Sequence, residues 1–525
     1  MTGHVFVIQA DIRRFACDAY LFATDRDLSA GGGWTQSAPD APARLDVAHL
    51  EGFKTEERFT LPLLDRDGRD DEPTTILTAV PYEGVTSASD IVTRLEEFFA
   101  VAVEVAGRRQ VTKRLSGREK PLIAVPLFGA GGGGGGGFRG ELLRVIDEES
   151  RTAAARYDVD VAIVLRDPKA YALAQMTRRD GRESWPELDA RRIEHAQRLG
   201  GIARRAQLVP FMGSGISMSA GAPSWKDLIR RLAEAAELEP RLVEQLTQTH
   251  DVLDQAAYVR QAFARRGSDN EDRFTNAIVD AVDKRRYGPT PPLLAALEAE
   301  QAITLNYDQL FEWAAFDGRR PRRVIPGAVD GAERWLLKLH GSVDEPKSIV
   351  LTREDYLGFN ADRAALSSLV KATLMTRHLL FVGFGMTDSH FHEIVHDVRR
   401  ALPGRQERFG TVLTLDRDEV TQHLWDGDLE FIDFDNSPRL LEIFLDAMLA
   451  YGATSNSYLL AKGYESALGD ADKGVRETLI TALDAMPDGS RTSNAWPVIE
   501  KLLDELGYVT RADARGWRTL PEELG

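Results

Sequence analysis

Four short segments of the chain collect the residue types that hold phosphate and move protons: "GSGIS" at 213–217, "TLNYD" at 304–308, "KLHGS" at 338–342 and "VGFGMTD" at 382–388. Glycines directly after a buried strand let the backbone approach a ligand closely, and the amides that open the following helix attract phosphate. Gly213, Ser214, Gly215 and Ser217 therefore read as a pyrophosphate cradle. It departs from the G-x-G-x-x-G dinucleotide fingerprint, because Met218 stands where the third glycine would be. The other three segments supply Asn306, Asp308, His340 and Asp388, with a second pair of glycines at Gly383 and Gly385. An amide side chain can hold water or a sugar hydroxyl through fixed hydrogen bonds, and a neutral imidazole can accept a proton near physiological pH.

Each segment ends a predicted strand, which is where open parallel sheets place their ligands. The expected fold class is α/β. Over residues 1–180, short apolar runs ("HVFVIQADI", "DAYLFATD", "TTILTAVP", "LIAVPLFG", "DVAIVLRD") alternate with helical stretches, the pattern of a largely parallel, buried sheet. A charged helical stretch at 186–207 contains the boundary with a second unit, a Rossmann-like sheet over 200–450. Its strands are expected at "LVPFM", "QAITLNYD", "WLLKLHG", "SIVLT", "LLFVGFG", "GTVLTL" and "LEFIDFD", with a helical insertion at 225–300. Trp225, Leu228, Ile229, Leu232 and Ala233 recur at helical spacing and belong to a core. Residues 451–525 read as a helical C-terminal module of three short helices at 455–468, 475–486 and 496–507.

Composition narrows the function classes. The chain has 525 residues, 43% apolar and 28% charged, and no apolar run approaches the roughly 18 residues of a membrane helix. Its first residues lack a basic n-region and read as a strand, so the expected compartment is the cytosol and no membrane partner is expected. The net charge of −17 argues against a broad nucleic-acid surface, and "RRPRR" at Arg319–Arg323 reads as a solvated turn. Cys17 is the single cysteine, which excludes a disulfide within the chain and a zinc site built on paired cysteines. His378, His390 and His392 have no acidic or thiol partner at ligand spacing, so no metal is expected. A run of seven glycines, Gly131–Gly137, is the one low-complexity segment.

The ordered recurrence of these four motifs over residues 200–450 resembles the sirtuin-like family, in its branch of NAD-consuming enzymes of bacterial antiphage defence. The resemblance implies that Gly213, Ser214, Gly215 and Ser217 line the NAD diphosphate, and that Asn306 and His340 are the catalytic pair. It further implies that Asp308 supports the ribose or carboxamide side, while Gly383, Gly385 and Asp388 lie near the adenosine half. Sirtuin deacylases carry four zinc-binding cysteines, a "PDFR"-like segment and a glutamine before the asparagine; this chain has one cysteine, "APSW" and Leu305. These departures favour water as the acceptor: an NAD+ glycohydrolase releasing nicotinamide and ADP-ribose, with NAD as substrate and no zinc. The alternatives are an inactive NAD- or ADP-ribose-sensing module, and an NAD-dependent deacylase or ADP-ribosyltransferase. At the N-terminus, "IQADIRRFACDAYLFATDRDLS" and "IAVPLFGAGGGGGGGFRGEL" resemble a macro domain, although "ATD" at Ala23–Asp25 replaces the family's usual asparagines. That resemblance implies a nucleotide or ADP-ribose-type signal at 1–180. An activating protein partner and homo-oligomer formation are further expectations for such an effector.

Overall fold

A computed structural model describes residues 2–28, 40–66, 71–131, 133–180, 185–249, 251–265, 270–327 and 333–508. Gly132 of the glycine run and residues 509–525 of the tail lie outside the described residues. The fold is mixed α/β, built on two parallel-type sheets.

The first sheet comprises β1 (Val5–Ile8), β2 (Ala19–Thr24), β3 (Thr60–Pro62), β4 (Thr74–Ala79), β5 (Leu122–Pro126) and β6 (Asp160–Val164). Their order is β1-β6-β5-β2-β4-β3, and only the edge pair β3–β4 is antiparallel. Helices Val92–Arg109 and Arg139–Tyr157 cover it with apolar residues such as Leu95, Phe98, Leu142 and Ile146, all fully buried. Strands buried on both faces must be apolar throughout, which is why these runs lack alternation.

The second sheet comprises β7 (Leu208–Met212), β8 (Gln301–Thr304), β9 (Arg323–Ile325), β10 (Trp335–Lys338), β11 (His378–Val382), β12 (Gly410–Thr414) and β13 (Leu429–Asp433). The order β13-β12-β11-β7-β8-β10-β9 is parallel throughout. The chain passes from β7 to one side for β8–β10 and returns to the other side for β11, so β7 sits where the strand order reverses. The four motif strands β11, β7, β8 and β10 are contiguous in the sheet.

Within the insertion, helices Trp225–Ala235, Pro240–Thr249, Val252–Ala264 and Asn270–Val282 pack around Ile229, Leu232, Val259 and Ile278. Tyr307, Val343 and Leu351 join this cluster, so the insertion rests against the outflow of β8 and β10. Helix Pro438–Gly452 is buried along almost its whole length and crosses helix Ala190–Arg204 closely: a Cβ on Gly200 would meet the Met448 carbonyl oxygen at 2.8 Å. One continuous apolar cluster runs from β1 through these two helices to β12. No helix among the described residues is long and apolar enough to cross a membrane.

Three expectations are corrected. "SIVLT" is no strand: Val350 donates to the His340 carbonyl and accepts from the Tyr307 hydroxyl, while Asp355 takes the Leu351 and Thr352 amides, so its backbone is spent on loops and a cap. Residues 455–468 hold only the short 3-10 turn Glu465–Ala467, whereas helices Asp470–Asp484 and Trp496–Glu505 form beyond it. "RRPRR" is no solvated turn: Arg320 donates to the Ala296 carbonyl and Arg322 to the Ala299 carbonyl, and burial beside Arg334 and Arg320 pushes Arg322 down to about 9.

Candidate functional site

β7 delivers Gly213 at its end, and the chain then winds through a 3-10 segment, Ser214–Ala220, before Ser224 caps the next helix. This turn lies flat against the loop that leaves β11. Gly213 N–H donates to the Val382 carbonyl at 3.0 Å, and Gly215 N–H donates to the Gly383 carbonyl at 3.0 Å. A Cβ on Gly213 would stand 2.4 Å from the Gly383 oxygen, and one on Gly215 would stand 2.6 Å from Gly383 Cα. Gly383 itself has φ +63, a left-handed conformation that glycine adopts without strain. These three glycines are thus required by the contact between two loops, and two of their amides are already engaged.

Beside these loops lies a cavity of about 480 Å³. It is lined by Ser214, Gly215, Gly383 and Gly385, by Asp416 and Asn436, which follow β12 and β13, and by Ser116–Glu119, which precede β5. Gly213 and Ser217 do not line it.

Ser217 turns the other way. Its hydroxyl donates to Asp308 Oδ2 at 2.8 Å and accepts from Asn306 Nδ2 at 3.0 Å, bridging two residues of the "TLNYD" turn. Asp308 Oδ1 accepts the Leu310 amide at 3.0 Å, just before the helix Leu310–Asp317. Beneath the turn, Lys338 is 1% exposed and donates to the Asp308 and Tyr307 carbonyls and to Glu312 Oε1 at 2.6 Å. Sequence reading missed this lysine, although a cation inside the apolar run "WLLKLHG" was its signal.

Asn306 and His340 follow adjacent strands. β8 and β10 end on the register pair Thr304 and Lys338, and each functional residue lies two positions further on. The hydrogen bonds Leu339 N–H to Thr304 O and Val343 N–H to Tyr307 O hold the two outflows together on either side. Both side chains are buried, and Asn306 Oδ1 and His340 Nε2 have no protein hydrogen-bond partner. Burial, opposed by Asp388, pushes His340 down to about 4, so its imidazole is neutral near physiological pH.

Asp388 is at His340, with Oδ2 3.6 Å from Nε2, and does not line the cavity where an adenosine contact would be. It caps the helix Ser389–Ala401 through the Phe391 amide and accepts the Tyr356 hydroxyl at 2.8 Å. His390 comes within reach of both His340 and Asp388, so the expectation that it lacks an acidic partner is corrected. That partner, Asp388, lies two residues before His390 in the chain, whereas His340 is brought to them from the end of a different strand. His378 and His392 go elsewhere, to Thr411 Oγ1 and the Met386 carbonyl.

Residues 300–428 match the family described as SIR2-like domain. The chain is 27% identical over 209 residues to an NAD(+) hydrolase ThsA of Enterococcus faecium, covering 37% of this chain and 41% of that protein. It is 26% identical over 225 residues to Defense-associated sirtuin 2 of Bacillus subtilis (41% of this chain, 21% of that protein), and 26% identical over 205 residues to an NAD(+) hydrolase ThsA of Bacillus cereus (38% and 41%). The aligned region spans about two fifths or less of these relatives' length. The segment that matches the SIR2-like domain, 300–428, carries β8 to β12 and the residues Asn306, His340 and Asp388.

Proposed function

We propose that the chain is an NAD+ hydrolase: water adds to ribose C1′ as the bond to nicotinamide breaks, giving nicotinamide, ADP-ribose and one proton. The nicotinamide leaves neutral from a cationic ring, so the site needs no general acid; it needs to stabilise an oxocarbenium-like ribose and to orient water. Asn306 Oδ1 and His340 Nε2 are suited to this, the amide oxygen fixing water or a ribose hydroxyl and the imidazole taking the proton. The observation that carries the reading is this pair of buried, unpartnered polar atoms on adjacent strand ends, next to the glycine loops of a cavity large enough for part of a dinucleotide. Gly215, Ser214, Gly383 and Gly385 would face the diphosphate and adenosine portion. Asp308 would hold Ser217 and the turn in place. The names of the relatives, NAD(+) hydrolase and defence-associated sirtuin, support the same activity and a role as an antiphage effector acting through NAD+ depletion. Such an enzyme must be restrained, so activity would be released by a nucleotide signal, a protein partner or assembly of copies, in the cytosol.

Residues 1–180 would be the sensing unit and 451–508 a helical module against it. The likeness of 1–180 to a macro domain is supported by its parallel sheet and by the glycine turn after β5. That turn is packed against by the chain itself, since a Cβ on Gly463 would stand 2.2 Å from the Gly136 carbonyl oxygen.

A second reading, a module that binds NAD or ADP-ribose without cleaving it, is favoured by one observation: neither Asn306 nor His340 lines the cavity. Incubating the chain with NAD+ and separating the products decides between them. Equal amounts of nicotinamide and ADP-ribose identify the hydrolase. A ligand-induced thermal shift with NAD+ left intact identifies the sensor, and nicotinamide release that requires an acyl-lysine peptide or a protein acceptor identifies a transferase.

A further inference from the structure

Behind the amide–imidazole pair, three potential ligands converge. His340, Asp388 and His390 each offer one donor atom, and these atoms lie within 4.8 Å of one another. Two independent features point to a ligand for them. First, His340 Nε2 and His390 Nδ1 are both buried without a hydrogen-bond partner, in side chains that are 5% exposed. Buried polar atoms are satisfied in the great majority of cases, so two such atoms beside one carboxylate call for an explanation. Second, the surroundings already orient the donors. His390 Nε2 lies 3.0 Å from the Tyr356 carbonyl, which can only accept, so the ring proton is on Nε2 and Nδ1 carries the lone pair. Tyr356 donates its hydroxyl to Asp388, and the His390 ring is stacked between Tyr356 and Phe359 at 4.3 and 3.8 Å. Histidine ligands held by a backbone carbonyl and a carboxylate held by a hydroxyl are the outer contacts that fix metal-site geometry.

We propose that His340, Asp388 and His390 form a binding site for a divalent transition-metal ion of the zinc or cobalt kind. Two imidazoles and one carboxylate suit such an ion and leave a fourth position open. Donors about 2.0–2.1 Å from zinc stand roughly 3.4 Å apart at the tetrahedral angle. His340 Nε2 and Asp388 Oδ2 are already 3.6 Å apart, so modest side-chain rotation completes the set. The consequence for the reaction rests on the hydrolase reading: an ion on His340 Nε2 occupies the lone pair that would accept the proton, so the loaded protein is switched off.

Cobalt(II) titration of the full chain, first stripped with a chelator that is then removed, tests the site. One equivalent should bind with the intense visible bands of a four-coordinate ion, and zinc should displace it. Asp388→Asn, which preserves the helix cap, and His390→Gln should each weaken binding at least a hundredfold. Absence of stoichiometric binding, or binding that survives both substitutions, overturns the site. Nicotinamide release should fall at least tenfold on loading; unchanged release from fully loaded protein overturns the regulatory role. No release from the metal-free protein would instead count against the hydrolase reading and leave the binding result standing.

Discussion

Asn306 and His340 stand level with each other: each lies two residues beyond one member of the register pair Thr304 and Lys338. Adjacent strands are about 4.8 Å apart, so two such positions can address the same small group of ligand atoms. Sequence separation of the two residues is irrelevant once β8 and β10 pair. What matters is that neither turn moves.

Lys338 is the residue that holds the turn. Lys338→Met would leave Glu312 buried without its partner, and burial already raises the Glu312 carboxyl above its ordinary range. Breaking a buried pair on one side costs about 3–5 kcal/mol. Chemical denaturation should show a loss of that order, and the double variant Lys338→Met, Glu312→Gln should recover part of it.

The glycine loops separate packing from binding. Gly383→Ala would place a Cβ 2.6 Å from the Ile216 amide nitrogen at a left-handed φ, whereas the nearest atom to a Cβ on Gly385 is 3.8 Å away. Strain at such a backbone site costs of order 1–3 kcal/mol before any clash is counted. Gly383→Ala should therefore lower the thermal midpoint by several degrees, while Gly385→Ala should melt like the parent and bind NAD+ more weakly, as a ligand-induced thermal shift would show.

Acid stability should depend on Asp160. Burial alone would raise its carboxyl, but the charge of Arg118 and the hydrogen bonds of Arg439 hold it down at about 2. A depressed carboxylate contributes stability that is present above its unfolded value near 3.8 and is lost as pH falls through about 2. The contribution should thus decline between those two values. Asp160→Asn should flatten that part of the stability–pH curve measured by urea unfolding, and should destabilise the chain at neutral pH by leaving two buried guanidinium groups short of their partner.

The strands that carry the site were legible because a buried parallel strand has to be apolar on both faces; "LVPFM", "LLFVGFG" and "WLLKLHG" announce themselves in this way. The edge strands β3 and β9, each three residues long, have too short a run to be read. "SIVLT" looked like a strand because β-branched residues fit loops equally well when side chains and caps take their backbone groups. Within the site, residue types at strand ends pointed to Asn306 and His340. The reach of Ser217 to Asn306 and Asp308, and of Asp388 and His390 to His340, depends on which loops the sheet order sets side by side, and no spacing along the chain encodes that.

The central claim is that Asn306 and His340 act together on one NAD+ molecule. Its most direct test is the initial rate of nicotinamide release by the wild-type chain, Asn306→Ala and His340→Ala, with thermal midpoints recorded alongside. The account predicts at least a hundredfold loss in each variant at an unchanged fold, in the range expected for removing a general base or an orienting group. Cleavage by either folded variant at the wild-type rate would contradict it.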